Sequence, residues 1–243
     1  MNKRAWAYVI SVIVVGVALA LAASLQVEAA GAQNVLVAIL LLALATLGQL
    51  GKVVYTSRGI TTSGTSWYTP LLAFMFAGVL VLPPYMLIAL IAVPHLVEWA
   101  VERVRKTDFL KAWYIQPFNI ATHIICALAA WEIYNITTPQ ICNMVGDGMC
   151  GRVFAAFLAA SVYLVVNHYL VGQALVLACK ITWMQSGVLN VRNTACDAAF
   201  LIGGLAISLL MQFSPLVIIP IILLMILAQR QMAVSLVKSP VTS

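Results

Sequence analysis

The sequence predicts an all-α integral membrane protein with six to eight transmembrane helices, and the division that best fits the charges has eight. Hydrophobic residues make up 63% of the 243 residues, and charged residues only 8%. Soluble domains are about 45–50% apolar and about 25% charged, so this chain has too little charged surface to fold in water. Its apolar residues also form runs near the length of about 20 residues that a spanning helix needs.

The first two spans are Ala5–Leu25 and Val35–Leu50, separated by a short polar turn. The first run is longer than the apolar core of a secretory signal peptide, about 7–15 residues, and we therefore assign it as a span. Gly51 to Thr69 is polar and rich in turn-forming residues, so a loop is expected there.

The third and fourth apolar runs, Pro70–Leu82 and Tyr85–Arg103, are separated by Pro83-Pro84. Proline removes a backbone donor and disfavours helix in the residue before it, so a helix should end here. One helix through both runs would also be too long for a single pass. We therefore expect a helical hairpin with the two prolines at its turn.

Four further spans are predicted in the rest of the chain. A polar loop, Asn135–Arg152, is expected between the fifth and sixth spans, and Ser214-Pro215 joins the last two. Residues 1–243 form a single membrane domain, of which 230–243 is a short cytoplasmic tail. The four spans are Trp113–Tyr134, Val153–Cys179, Ala195–Phe213 and Leu216–Ala228.

The basic residues predict the orientation of these spans. With a cytoplasmic N-terminus and eight passes, twelve of the thirteen Lys and Arg residues are cytoplasmic and only Arg152 is outside. This distribution obeys the positive-inside rule. If Pro70–Arg103 were a single pass, the basic cluster that follows it would face outward. Both termini are therefore expected in the cytoplasm, and the net charge of +6 is explained without nucleic acid as a partner.

Polar residues within the spans are candidate functional groups, because burying them in a membrane is costly. His95, Glu98 and Glu102 follow at spacings of three and four residues and so share a helix face. That face could bind a metal or relay a proton, or its carboxylates could form ion pairs at the membrane interface. His123 lies four residues after Asn119 and again shares its helix face.

Asn167-His168 lies in the middle of the sixth span, and His168 could converge with His95 and His123 on one cavity. Imidazole, amide and carboxylate groups suit a metal ion, a proton path or a polar ligand. The alternative is that these side chains form interhelical hydrogen bonds that only hold the bundle together. Asp197 opens the seventh span, where a carboxylate would interact favourably with the helix dipole.

Two features of this chain bear on its covalent chemistry. Cys142 and Cys150 lie in the loop predicted to face outward, where a disulfide could form or both thiols could stay reduced. No HExxH, GxGxxG, GxxxxGK[ST] or GxSxG motif occurs. The sequence therefore assigns no metal, no cofactor and no catalytic residue, and a non-enzymatic function is expected.

Short motifs between Tyr68 and Arg230, about two thirds of the chain, point to a family: Leu82-Pro83-Pro84, Trp113-Tyr114, Phe118-Asn119, Tyr163 with Val166-Asn167, Ser214-Pro215, and Gln229-Arg230. With these motifs the chain resembles the N-terminal membrane region of bacterial signalling proteins that carry a cytoplasmic HD-GYP phosphodiesterase or GGDEF cyclase domain. The resemblance implies that this region senses a signal and passes it through its last helix. Only thirteen residues follow Arg230, without an HD or GGDEF motif, so the family's enzymatic activity is not expected here.

The sequence thus predicts a bacterial protein of the cytoplasmic membrane that acts as a sensor-like or ligand-binding module. Besides the lipid bilayer, its expected partner is a cytoplasmic signalling protein or a second copy of the chain. The alternative is a small transporter or a substrate-binding membrane subunit, because transporters place polar groups on broken helices near the midplane. An intramembrane enzyme is the third reading. The expected ligand-binding residues are His95, Glu98, Asn119, His123, Asn167 and His168.

Overall fold

The computed structural model describes residues 1–26, 31–51, 53–58, 63–105, 112–214, 216 and 219–220. Within them the chain forms seven α-helices and one two-stranded β-hairpin. Six of these helices are long and apolar enough to cross a membrane. The remaining helix, α3, is apolar but shorter. The helices are α1 (Lys3–Ser24), α2 (Ala32–Leu50), α3 (Leu71–Val81), α4 (Pro84–Val104), α5 (Ile115–Val145), α6 (Gly148–Cys179) and α7 (Val191–Phe213).

The helical architecture is confirmed and is compatible with a membrane protein, but the predicted number of spans, including the eighth, is not tested. Of Leu216–Ala228 the structure describes only residues 216, 219 and 220, and the tail 230–243 lies outside the described residues. The predicted loop from Gly51 to Thr69 contains two antiparallel strands, β1 (Val53–Arg58) and β2 (Ser63–Tyr68). The β-branched and aromatic residues of this segment favour strands, a signal that its turn-forming residues had obscured.

The predicted break at Pro83-Pro84 is confirmed. Helix α3 ends at Val81, Pro83 adopts extended backbone angles as the N-cap of α4, and Pro84 occupies the first turn of that helix. A proline is tolerated there because the first helical N–H groups have no partner within the helix. The two helices approach closely at Gly78, where an added Cβ would lie 2.3 Å from a Leu90 methyl carbon.

Helix α3 lies at the centre of the bundle. Every residue from Leu71 to Val79 is buried, and the helix contacts α2, α4, α5 and α7. A helix that is apolar on all faces is stable either in a protein core or in lipid, and the burial of α3 places it in the core. We call its neighbours α2, α4, α5 and α7 the ring around α3. Helix α1 packs on the outside of this ring against α5, where Gly16 faces Ala121.

The prediction of a polar loop from Asn135 to Arg152 is wrong. Helix α5 continues to Val145 and α6 begins at Gly148, so only Gly146 and Asp147 separate them. Thr137 and Thr138 keep their hydroxyls inside the helix by donating to the carbonyls four residues earlier. The two helices have 31 and 32 residues. At about 1.5 Å per residue each is longer than a ~30 Å hydrocarbon core, so the hairpin extends beyond the membrane.

The turn of this hairpin depends on Gly146 and Asp147. Gly146 has a φ of 71°, a left-handed conformation that suits glycine. The Asp147 carboxylate caps α6 by accepting a hydrogen bond of 2.8 Å from the Met149 amide. Hydrogen bonds from the Cys150 thiol and the Met149 amide hold the pKa of the Asp147 carboxyl below its ordinary value of 3.8.

We expect Asp147 to make the hairpin sensitive to acid. Because its pKa is lower in the folded than in the unfolded chain, the carboxylate stabilises the fold above pH 3.8, and this contribution disappears as the pH falls further. Asp147→Asn keeps a capping oxygen but has no titratable group. Thermal unfolding should therefore show a Tm difference between wild type and Asp147→Asn that shrinks on acidification. A difference that is constant with pH would contradict this assignment.

A buried polar cluster as the candidate functional site

The apolar interior of the bundle contains several buried polar side chains. An unpaired polar group in such an interior costs free energy, so its hydrogen-bond partners decide whether it is structural or available. Most of these residues lie on α2, α4 and α5, the helices that surround α3. The buried polar residues are Gln49, His95, Glu98, Gln116, Thr122, His168 and Ser208.

The Glu98 carboxylate is the hub of this region. It is only 3% exposed, although a carboxylate is among the groups least often buried. One of its oxygens accepts hydrogen bonds of 2.7 Å from both Gln49 Nε2 and Gln116 Nε2. The three residues lie on α4, α2 and α5, so a single oxygen connects three helices. The Oε1 atom of Gln49 in turn accepts a hydrogen bond of 3.1 Å from Thr69 Oγ1.

The His95 ring lies one helical turn before Glu98. Its Nδ1 atom is 3.5 Å from Gln49 Nε2, and its ring stacks on that of His123 with the centroids 5.4 Å apart. The Gln116 side chain lies close enough to the His95 ring to be its hydrogen-bond partner. Yet within the described part of the chain neither His95 Nε2 nor Gln116 Oε1 completes a hydrogen bond. These two buried atoms can therefore pair with each other after a small side-chain rotation, or with a polar ligand.

From His123 the cluster continues to α6. The His123 Nδ1 atom lies 2.9 Å from the hydroxyl of Tyr163, a side chain that is 1% exposed. The Tyr163 ring meets Phe76 of α3 edge-on, which fixes its position in the core. We call the connected residues the polar cluster: Gln49, Thr69, His95, Glu98, Gln116, His123 and Tyr163.

A second contact lies between α6 and α7. His168 Nε2 is 3.0 Å from Asp197 Oδ2. The Asp197 carboxylate also acts electrostatically on His123 and Tyr163, which places it near the polar cluster. The predicted role of Asp197 at a helix N-terminus is wrong, because α7 begins at Val191 and has no acidic residue in its first turn. The carboxylate instead pairs with a histidine of the neighbouring helix.

The structure therefore brings together His95, Glu98 and His123 and places His168 at the adjoining pair. Asn119 and Asn167 are half-buried, and their side chains form no hydrogen bond with any described residue. Of the polar cluster, Gln49, Thr69, Gln116 and Tyr163 had not been identified as site residues from the sequence, and the contact of Asp197 with His168 had not been predicted. Gln49 had a detectable signal, since it is a polar residue in an otherwise apolar run.

The metal and disulfide hypotheses have different outcomes. No group of three or more His, Cys, Asp or Glu side chains among the described residues is arranged to hold a metal ion. Cys142 and Cys150 are both free thiols, and the Cys142 Sγ atom lies 3.5 Å from the Gly148 carbonyl oxygen. Their disulfide stays a prediction.

The polar cluster offers two imidazoles, a carboxylate, two amides and a phenol within one connected interior, at the junction of α2, α4, α5 and α6. Such a set can bind a small polar ligand or respond to a proton. Comparison of the chain with protein-family models, curated proteins and solved structures finds no match.

Proposed function

We propose that the chain is a sensor-like or ligand-binding module of the bacterial cytoplasmic membrane, with both termini in the cytoplasm. Six helices long and apolar enough to span a membrane support the location. The placement of twelve of the thirteen basic residues supports the orientation. The resemblance to the membrane regions of HD-GYP and GGDEF proteins supports a role in signalling.

The observation that favours ligand binding is the incomplete hydrogen bonding beside Glu98. The carboxylate already accepts from Gln49 and Gln116, whereas His95 Nε2 and Gln116 Oε1 are buried without a partner in the described residues. A ligand that supplies one acceptor and one donor would satisfy both atoms. Because an unsatisfied buried polar group costs about 1–3 kcal/mol, such a ligand would stabilise the folded helix bundle.

The contacts of the cluster also suggest how a signal would leave the site. Helix α5 is coupled to α6 through His123 and Tyr163, and α6 is coupled to α7 through His168 and Asp197. A ligand that moves His95 would shift the ring stacked on it, and so change the packing of α7. The response would then reach a separate cytoplasmic signalling protein or a second copy of the chain.

A thermal-shift screen of polar ligands and metal ions on the detergent-purified protein tests this function. A compound that binds the folded state raises the Tm by mass action. We expect that shift to be lost when His95, His123 and His168 are all replaced by alanine. The double variant Thr137→Ala, Ser161→Ala is the matched control, because it removes hydroxyls of α5 and α6 that bond only to carbonyls of their own helix. A shift that survives the triple variant would contradict a site in the cluster.

The second candidate is a small transporter or a substrate-binding membrane subunit. Helix α3 has only 11 residues, the chain breaks at Pro83-Pro84, and Pro94 lies inside α4 directly before His95. Interrupted helices beside buried polar groups are how many transporters build their substrate sites. Uptake into proteoliposomes of a compound identified by thermal shift would support transport. Binding without uptake would favour sensing.

A further inference from the structure

A cleft lies at the opposite end of the bundle from Glu98. It has a volume of about 390 Å³ and opens between the end of α1, the first residue of α4 and the middle of α5. Ligand pockets in proteins typically have volumes of about 300–1,000 Å³, so the cleft can hold a small molecule. Most of its lining is apolar, including Leu19, Ala22, Ile125 and Leu128, and its polar members are Gln26 and Glu132.

The two polar side chains of the cleft, Gln26 and Glu132, lie at a similar depth in the membrane. Glu132 is seventeen residues after Ile115, the first residue of α5, so it stands about 26 Å along the helix, near the far edge of a ~30 Å hydrocarbon core. Gln26 follows the last residue of α1. The apolar residues come earlier on both helices and lie closer to the membrane centre. The cleft is therefore apolar toward the membrane centre and polar at the membrane–water interface.

The charge of this cleft is negative. No basic residue lines it, and Glu132 is exposed and forms no ion pair or side-chain hydrogen bond with another described residue. The Trp131 ring lies in the same lining. A carboxylate next to an indole ring attracts a cation, because the ring face is itself electronegative. A cleft with an apolar lining and a carboxylate beside an indole ring at its edge matches a molecule that is both apolar and positively charged.

From this geometry we propose that the cleft binds a lipophilic cation, with its apolar body against Leu19, Ile125 and Leu128 and its charge beside Glu132 and Trp131. The proposal does not depend on the polar cluster, because the cleft and the cluster share no residue. Binding at one site can therefore fail while binding at the other succeeds.

Two ions of nearly equal size and opposite charge test the proposal: tetraphenylphosphonium and tetraphenylborate. Equilibrium binding of each is measured on the full-length protein in lipid nanodiscs, with protein-free nanodiscs to subtract partition into the bilayer. We expect saturable binding of the cation and none of the anion. Glu132→Gln should weaken cation binding by about five- to tenfold, and Glu132→Asp should retain most of it.

A second pair of variants tests the cavity itself. Ala22→Leu narrows the cleft, whereas Ala18→Leu makes the same change one helical turn earlier, at an exposed position outside the lining. Cation binding should fall in Ala22→Leu and stay unchanged in Ala18→Leu. Equal binding of the two ions, an unchanged affinity in Glu132→Gln, or equal effects of the two leucine variants would overturn the proposal. Absence of saturable cation binding would overturn it as well.

Discussion

Replacing Glu98 with leucine is expected to destabilise the protein more than any other single substitution in the polar cluster. The leucine has a similar volume but no acceptor, so the amide groups of Gln49 and Gln116 lose the oxygen to which both donate. Two buried donors without partners should cost about 2–6 kcal/mol in the free energy of unfolding, at about 1–3 kcal/mol each. Unfolding in detergent, followed by circular dichroism, measures the loss.

Two further variants test whether the loss of stability arises from the amide groups that Glu98→Leu leaves without a hydrogen-bond partner. Glu98→Gln keeps one acceptor oxygen and should lose less stability than Glu98→Leu. Adding Gln116→Leu to Glu98→Leu removes one of the stranded donors, so the double variant should be more stable than the sum of the single effects predicts. Strict additivity, or a Glu98→Leu variant as stable as wild type, would mean that Glu98 does not connect the three helices.

The second large effect is expected at Gly204, where α7 lies against α3. A Cβ at this position would stand 2.4 Å from the Ala73 carbonyl oxygen and 3.1 Å from the Ala77 nitrogen. Both are backbone atoms that cannot rotate away, so Gly204→Ala must push α7 off the central helix. Such overpacking typically costs about 1–3 kcal/mol. Thermal unfolding should therefore show a lower Tm for Gly204→Ala, together with looser packing of α7 on the rest of the bundle.

The adjacent glycine supplies the control. A Cβ at Gly203 would meet only the Ala73 Cβ, at 3.9 Å, which is an ordinary van der Waals contact. Gly203→Ala should therefore be neutral or slightly stabilising, because alanine favours a helix over glycine by about 1 kcal/mol. Equal destabilisation by the two alanine variants would contradict close packing of α7 on α3.

Part of the site could be recognised from the sequence because spacing along one helix is local information. His95 and Glu98 are three residues apart, so they share a face of any helix that contains them. Gln116 and Asp197 could not be recognised in this way. Gln116 is important because it meets an oxygen on α4, and Asp197 because it meets a ring on α6. Such partners depend on how helices are arranged in space, which a single sequence does not specify.

The β-hairpin and the α5–α6 turn were missed for a different reason. Residues such as Thr137 and Thr138 look like loop residues, but their hydroxyls bond to the preceding turn of α5 and remain compatible with a helix. Polarity marks where a helix leaves the hydrocarbon core, not where it ends. The end is set by Gly146, which adopts a left-handed conformation, and by the cap at Asp147.

The sequence by itself determined that the chain forms long apolar helices of the kind that span membranes, and that its helices break at Pro83-Pro84. Both follow from the cost of placing polar backbone groups in an apolar medium and from the covalent geometry of proline. Only the tertiary structure decided that α3 is the central helix, that Glu98 joins α2, α4 and α5, and that a cleft forms beside Glu132. These features arise from contacts between residues far apart in the chain, and such contacts exist only once the helices have packed.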